Sequence, residues 1–377
     1  MSGTNQTSLG VIFAGGGTGG HLFPALAVAE ELGSGPPSVR THFLCSDRPL
    51  DARILTAAGV AFTPLAARPV VTKPMPLLKF AASWGPSVRA TRAAIRELRA
   101  QVDRVHMVTM GGFVAPPAVQ AARAEKVPVL MVNLDAVPGL ANRFIAKRVS
   151  EIVSAVRVEG RGWETVPPVV RQELRSPREP GPCRESFGLD PKLNTLLITG
   201  GSQGARSVGQ FVVGLAEQNP GSFEGWQVIH QSGSHGEDND GYIKRWADLG
   251  VRAHVEPFLT DMPSAWWGAD LHVGRCGAGT VAESWATRTP SVFMPYPWHK
   301  DLHQKHNAQP LAGAGAAALI EDRIEAEKNL AQHGALLVGL LTDPGERGAM
   351  ARALEALGEP DGALRIAQRV RGDRSSA

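Results

Sequence analysis

The chain has 377 residues, 43% of them hydrophobic and 20% charged, with a formal net charge of +3. That length exceeds one ordinary core, so two domains are expected. The charge is too mild to predict a nucleic-acid partner, yet it permits attraction to anionic phosphates or lipid headgroups. Three widely spaced cysteines, Cys45, Cys183 and Cys276, form no CxxC pair and point to a reducing compartment. The polar opening MSGTNQTS predicts no signal peptide, and no apolar run has the roughly 18 residues of a membrane span.

The first apolar run, Leu9–Ala14, leads into GGGTGGH and then the helical pattern Leu22–Leu32. Gly15, Gly17 and Gly20 satisfy G-x-G-x-x-G, the dinucleotide fingerprint, in which glycines let a phosphate approach the backbone at a helix start. That fingerprint also wants an acid about 20 residues on, whereas Asp47 lies roughly thirty residues on, which disfavours a nicotinamide or flavin site. Runs at Thr41–Cys45, Val60–Leu65, Val105–Met110, Val127–Val132 and Glu151–Val156 read as further strands. Helical patterns at Ala52–Ala58, Pro76–Ala100, Val114–Glu125 and Gly139–Lys147 alternate with them. A second glycine turn, Gly111–Gly112 in VTMGGFV, again follows a strand. Within Lys73–Arg99, the apolar Leu77, Leu78, Phe80 and Trp84 interleave with Lys73, Lys79, Arg89 and Arg92. The pattern fits a core helix with a basic outer face or one that lies on a membrane surface.

Residues 158–182 are rich in Pro, Arg and Glu without periodicity, which predicts an N-terminal domain over 1–160 and a linker over 161–185. Beyond them, strands are expected at Thr195–Thr199, Trp226–Gln231, Ala253–Phe258, Leu271–Gly274, Ser291–Pro295 and Ala317–Ile320. Helices intervene again, so each half reads as a parallel sheet with helices on both faces. The second domain is placed at 186–357, followed by a short helix and tail at 358–377.

The turn ITGGSQGA, with Gly200–Gly204, admits two chemistries. It fits the hydrolase elbow G-x-S-x-G, with Ser202 as nucleophile and Asp261 or Asp301 plus a later histidine as partners. It equally fits a phosphate-binding turn in which Ser202 is a ligand. Asp238–Asp240, in the polar run SHGEDNDG, reads as a solvated loop rather than a metal-binding DxD. His299 and His303 are four apart, but the glutamate of HExxH and a third ligand are lacking, so no metal is expected.

The stretches GGTGGHLFPALAVAEEL, MGGFVAPPAVQAA, VPGLANR, TGGSQGAR and the long run from Glu256 to Ile320, with RCGAGTVAESW and HKDLHQKHN, follow one another in order. Together they resemble the MurG-type glycosyltransferases over residues 9–320. The resemblance implies an α/β fold of two Rossmann-like domains facing a cleft, the GT-B glycosyltransferase architecture, with the last helix packed back on the first domain. It implies inverting, metal-independent transfer of N-acetylglucosamine from UDP-N-acetylglucosamine to undecaprenyl-pyrophosphoryl-N-acetylmuramyl peptide. That reaction turns lipid I into lipid II in peptidoglycan synthesis and serves cell-wall growth, shape and division. No cofactor is implied. The enzyme would sit peripherally on the cytoplasmic face of the inner membrane, touching it through the region of Leu77, Leu78, Phe80 and Trp84.

The same resemblance assigns roles to residues. His21 becomes the general base for the acceptor hydroxyl or a contact to the acceptor diphosphate, with Thr18, Gly19, Gly20, Gly112 and Asp135 around it. On the donor side it implies Arg171, Ser202 and Gln203, with Phe258 and Leu259 at the uracil edge. The helix start Ala278, Gly279 and Thr280 would meet the diphosphate, Glu283 the ribose, and His303, Gln304 and Asn307 the sugar hydroxyls. The sequence departs from the family at four places. Val132–Asp135 stands where His-Glu-Gln-Asn is usual, and His303 replaces the first of two glutamines. PPVVR, ending at Arg171, blurs GNPVR. Cys276 and Gly279 replace the serine and leucine of RSGALT, changes that leave backbone donation intact. These departures keep two alternatives open: a transferase of the same fold with another sugar or acceptor, and a UDP-sugar-binding protein without turnover.

Overall fold

The computed structural model describes residues 8–35, 38–70, 73–200, 205–233 and 239–372. The chain divides into two units, Met1–Gln172 with Asp361–Ala377, and Glu173–Pro360.

The run LGVIFA is buried along its whole length, as a strand covered on both faces requires, and it becomes an interior strand of the first unit's sheet. In chain order this unit contains β1 (Leu9–Ala14), α1 (Gly19–Gly33), β2 (Val39–Ser46), α2 (Pro49–Ala57), β3 (Phe62–Leu65), α3 (Pro74–Arg99) and β4 (Arg104–Thr109). It continues with α4 (Ala115–Ala124), β5 (Val129–Asn133), α5 (Leu140–Ala146), β6 (Glu151–Ser154) and β7 (Glu164–Thr165). The sheet is parallel, in the order β3-β2-β1-β4-β5-β6-β7, with Leu9 paired to both Val39 and Arg104.

After α6 (Gln172–Arg175) at the boundary, the second unit runs α7 (Pro180–Glu185), β8 (Asn194–Thr199), α8 (Arg206–Gln218), β9 (Trp226–Gln231), α9 (Asn239–Asp248), β10 (Ala253–Glu256) and α10 (Met262–Gly268). Then come β11 (Leu271–Gly274), α11 (Ala278–Thr287), β12 (Ser291–Phe293), α12 (His303–Gly313), β13 (Ala317–Leu319), α13 (Ala326–Thr342) and α14 (Pro344–Ala356). Its sheet is also parallel, in the order β10-β9-β8-β11-β12-β13. Both sheets are doubly wound. Strand order reverses between β1 and β4 in one unit and between β8 and β11 in the other. In such sheets ligands bind where the order reverses, at the carboxyl ends of the strands.

The stretch read as a linker, 161–185, is built into the units instead. Glu164–Thr165 forms the edge strand β7, and α7 packs on α10. Buried Arg184, on α7, donates to Gly268 O at 2.9 Å and pairs with Asp270 at 2.8 Å. These elements of two, four and six residues are too short to display a period, which is why the sequence concealed them. The described part of 358–377 holds a helix that belongs to the first unit. The helix α15 (Gly362–Arg371) places Ala363, Ile366, Ala367 and Val370 in the first unit's core against α1. Burying Ile366 and Val370 contributes about 1.5–3 kcal/mol each. Gly362 makes this docking possible, because a Cβ there would strike the Pro167 carbonyl.

Candidate active site

The turn after β1 is held from behind. Fully buried Asp51, on α2, accepts from Gly17 N at 2.7 Å, Ser46 N at 2.9 Å and Ser46 Oγ at 2.7 Å. Arg48 donates to Gly17 O at 2.6 Å, with its guanidinium 5.2 Å from the Phe113 ring centre. The loop's outward donors at Gly19 and Gly20 are thereby offered at the start of α1, an arrangement suited to an anion. Neither Asp51 nor Arg48 stood out in the sequence, since an acid and a base on a helix start carry no motif. Phe113 and Asn142 were missed for a similar reason.

His21 lies on the first turn of α1, with Thr18 Oγ1 3.2 Å from its Nδ1. When Nδ1–H donates to that hydroxyl, Nε2 is the basic atom. Burial holds the imidazole below its ordinary 6.5, against the opposing charges of Asp135 and Asp51. It is therefore neutral at neutral pH, as a proton acceptor must be. Gly112, in the turn after β4, has φ +77°, and a Cβ there would meet Gly16 O at 3.0 Å and the His21 ring at 3.3 Å. Glycine at 112 thus lets the two turns at the strand-order reversal approach each other.

Beside His21 opens a cavity of about 770 Å³. Asp135, Asn142 and Gly112 line it near the histidine, and Val70, Phe80, Trp84, Phe113, Leu140 and Phe144 supply apolar walls. The altered segment 132–135 now has a physical account. Val132 is a core residue of β5. Asn133 donates to Asp135 O at 2.7 Å and accepts from Asn142 at 3.0 Å, bracing both against the cavity. The four apolar residues expected at a membrane divide. Leu77 and Leu78 on α3 are 46% and 65% exposed, whereas Phe80 and Trp84 line the cavity, and Trp84 Nε1 donates to Gln120 of α4 at 2.6 Å.

In the second unit, Ser202 and Gln203 lie outside the described residues. A buried network at the strand-order reversal includes Ser207, at the start of α8. Arg275, after β11, pairs with Asp322 at 2.7 Å and donates to Met294 O at 2.9 Å and Ser207 Oγ at 3.1 Å. Burial pushes the Asp322 carboxyl up, but hydrogen bonds from Ser207 and Asn329 and the Arg275 charge outweigh it and hold the group low. The first hydrogen bond of α11 is Val281 N–H to Gly277 O, at 3.1 Å, so the N–H groups of Ala278, Gly279 and Thr280 have no partner within the helix.

One turn on, Glu283 accepts from Trp266 Nε1 at 2.9 Å. Burial pushes its carboxyl up to about 7, only partly offset by that bond. Phe258 is 37% exposed on the loop after β10, while Leu259 is 1% exposed and in the core. His303, Gln304 and Asn307 share the first turns of α12, with Asn307 buried. All of these lie at the carboxyl ends of β10, β11 and β12. Arg171 belongs to the first unit, where it pairs with Glu30 of α1 at 2.7 Å. Among the described residues no cluster of three His, Cys, Asp or Glu is arranged to hold a metal. The His299 and His303 rings stack at 4.4 Å rather than converge.

The sequence matches the glycosyltransferase family 28 N-terminal domain over residues 11–154 and the family 28 C-terminal domain over residues 195–362. It is 34% identical over 375 residues to the UDP-N-acetylglucosamine–N-acetylmuramyl-(pentapeptide) pyrophosphoryl-undecaprenol N-acetylglucosamine transferase of Mycolicibacterium smegmatis, covering 97% of this chain and 94% of that one. It is 32% identical to the transferase of the same name from Chlorobium phaeobacteroides, covering 96% and 98% of the two chains. The crystal structure of Acinetobacter baumannii MurG superposes with a TM-score of 0.70 at 25% identity, covering 97% and 99%.

Proposed function

Since the chain belongs to the MurG-type transferases of glycosyltransferase family 28, with their GT-B fold, we propose how its two units divide one reaction. That reaction moves N-acetylglucosamine from UDP-N-acetylglucosamine to undecaprenyl-pyrophosphoryl-N-acetylmuramyl peptide. The N-terminal unit takes the acceptor. Its diphosphate rests on the N–H groups of Gly19 and Gly20 and the Thr18 hydroxyl, and His21 Nε2 removes the proton from the attacking hydroxyl. Gly112 leaves room for the ring, and Asp135 stabilises the imidazolium formed.

The C-terminal unit takes the donor. Breaking the sugar–phosphate bond leaves negative charge on the diphosphate, which the Ala278, Gly279 and Thr280 N–H groups and the α11 dipole receive, together with Ser202 and Gln203. Glu283 accepts from the ribose hydroxyls, and the backbone at Phe258 and Leu259 reads the uracil. His303, Gln304 and Asn307 hold the sugar. Attack from the face opposite the leaving group inverts the anomeric centre. One observation carries this reading: each sheet opens an anion-receptive helix start at its strand-order reversal, and the first of these also carries a histidine that burial keeps neutral.

No helix among the described residues is long and apolar enough to cross a membrane, so a lipid-linked acceptor calls for surface contact. Exposed Leu77 and Leu78, with Lys79 on the same helix and Lys73 just before its start, suit reversible binding to an anionic leaflet at the cytoplasmic face. The test is UDP release from UDP-N-acetylglucosamine with lipid I presented in anionic vesicles, compared with a soluble short-chain analogue. Release with both acceptors is expected, and none without acceptor. The double variant Leu77→Ser, Leu78→Ser should be about tenfold slower on vesicles, the equivalent of roughly 1.4 kcal/mol of lost apolar contact, and unchanged on the soluble analogue. No UDP release by the wild type would sink the enzymatic reading. Equal rates of variant and wild type on vesicles would sink the membrane role.

A further inference from the structure

His303 stands where the family has a glutamine, and its surroundings decide what that exchange does. His303 Nδ1 lies 2.8 Å from Asp301 Oδ1, and the same carboxylate receives the His303 backbone N–H at 3.3 Å. An ionised carboxylate only accepts, so Nδ1 must carry a proton, and Nε2 is the ring atom left to accept whenever the imidazole holds a single proton. The hydrogen bond to His303 holds the Asp301 carboxyl below its usual range, so it is ionised at neutral pH. Rotation is opposed from one face, where the His299 ring stacks at 4.4 Å and is itself met edge-on by Tyr296 at 4.9 Å. Leu302, between the dyad residues, adopts a left-handed backbone with φ +48°, which folds Asp301 back toward the start of α12.

The next residue is set in the opposite sense. Gln304 Oε1 accepts the Tyr296 N–H at 2.9 Å, which turns its NH₂ outward as a donor. A glutamine can flip and offer either atom; here neither side chain is free to do so.

We propose that Asp301 and Tyr296 fix the polarity of the donor-sugar grip, so that His303 Nε2 accepts from one sugar hydroxyl while the Gln304 amide donates to another. This rests on the donor assignment above and adds to it a positioning residue, Asp301, that acts through His303. It also gives the consequence of replacing glutamine: the two hydroxyls are distinguished by sense, which makes the grip selective for sugar stereochemistry.

The test is calorimetric binding of UDP-N-acetylglucosamine, its C4 epimer UDP-N-acetylgalactosamine, and UDP alone, to the full chain, so the outcome does not depend on transfer. In Asp301→Asn the charge that fixes the proton on Nδ1 is lost, and the amide can face the ring with its oxygen or its NH₂, so the polarity of Nε2 is no longer set. Affinity for UDP-N-acetylglucosamine should fall about tenfold, as for loss of one hydrogen bond, the preference over the C4 epimer should narrow, and UDP affinity should stay at the wild-type value. His303→Ala should behave alike, and His303→Gln should recover most of the affinity while keeping the narrowed preference. Wild-type affinity and preference in both Asp301→Asn and His303→Ala would overturn the proposal. So would an equal loss for UDP and UDP-sugar, which marks a merely structural role. If the wild type binds donor but transfers nothing, the proposed function fails while this proposal is still decided.

Discussion

In His21→Ala, kcat should fall by about 10²–10⁴-fold, the usual contribution of a general base, while UDP-N-acetylglucosamine binds as in the wild type. The second half of that expectation follows from the division of the molecule: His21 is in the first unit and the donor residues are in the second. The pH dependence carries the same argument with a definite sign. Burial holds His21 below 6.5, so its basic form persists as pH falls through 6.5. The rate should therefore decline only below 6.5, as the ring is protonated at its lowered value. Asp135 opposes the lowering, so Asp135→Asn should move that decline to still lower pH. Thr18→Val, which removes the partner of Nδ1, should cost about tenfold, or ~1.4 kcal/mol of barrier. Full activity in His21→Ala, or an acid limb above 6.5 that His21→Ala retains, would show that another group takes the proton.

The second large effect is expected at Glu283. If its carboxylate accepts from the ribose, Glu283→Ala should weaken UDP binding by about 10–100-fold, since hydrogen bonds to a charged group contribute about 1.5–3 kcal/mol. The alanine also leaves the Trp266 indole N–H unpaired, at about 1–3 kcal/mol of stability, so Glu283→Gln is the cleaner variant. Burial raises the unliganded carboxyl to about 7, and the bound form requires the ionised state. Below pH 7 the group must first lose a proton. Affinity for UDP-N-acetylglucosamine should then fall by up to about tenfold per pH unit. That ligand's diphosphate diester does not itself titrate there, so the slope reports the protein. Glu283→Gln should bind more weakly at pH 8 and lose the slope contributed by Glu283. A Gln variant with unchanged affinity and an unchanged slope would remove Glu283 from the donor site.

Much of this was legible because parallel α/β sheets write themselves in short buried runs. Leu9–Ala14, Trp226–Gln231 and Leu271–Gly274 were bounded to the residue, each a run that ends at a turn. The alternation that predicted parallel sheets with helices on both faces holds from β1 to β6 and from β8 to β13. What stayed hidden had no period or no motif. The two-residue strand Glu164–Thr165 cannot show alternation, and the return of α15 to the first core, a contact over the length of the chain, was implied by the family resemblance alone. At the sites, a motif names the residue that meets a ligand but not the one that orients it. Thus His21, Glu283 and His303 were visible as candidates, whereas Asp51, Trp266 and the role of Asp301 toward His303 emerged only from geometry.

The central claim is a single displacement at the donor's anomeric carbon, driven by a base on one unit against a leaving group held by the other. Proton NMR of the disaccharide made by the wild-type protein from α-linked UDP-N-acetylglucosamine and a soluble lipid I analogue tests it most directly. The predicted product is the β-linked disaccharide, formed together with one UDP. An α-linked product, which demands a second displacement through a group on the protein, or the absence of any disaccharide, would contradict it.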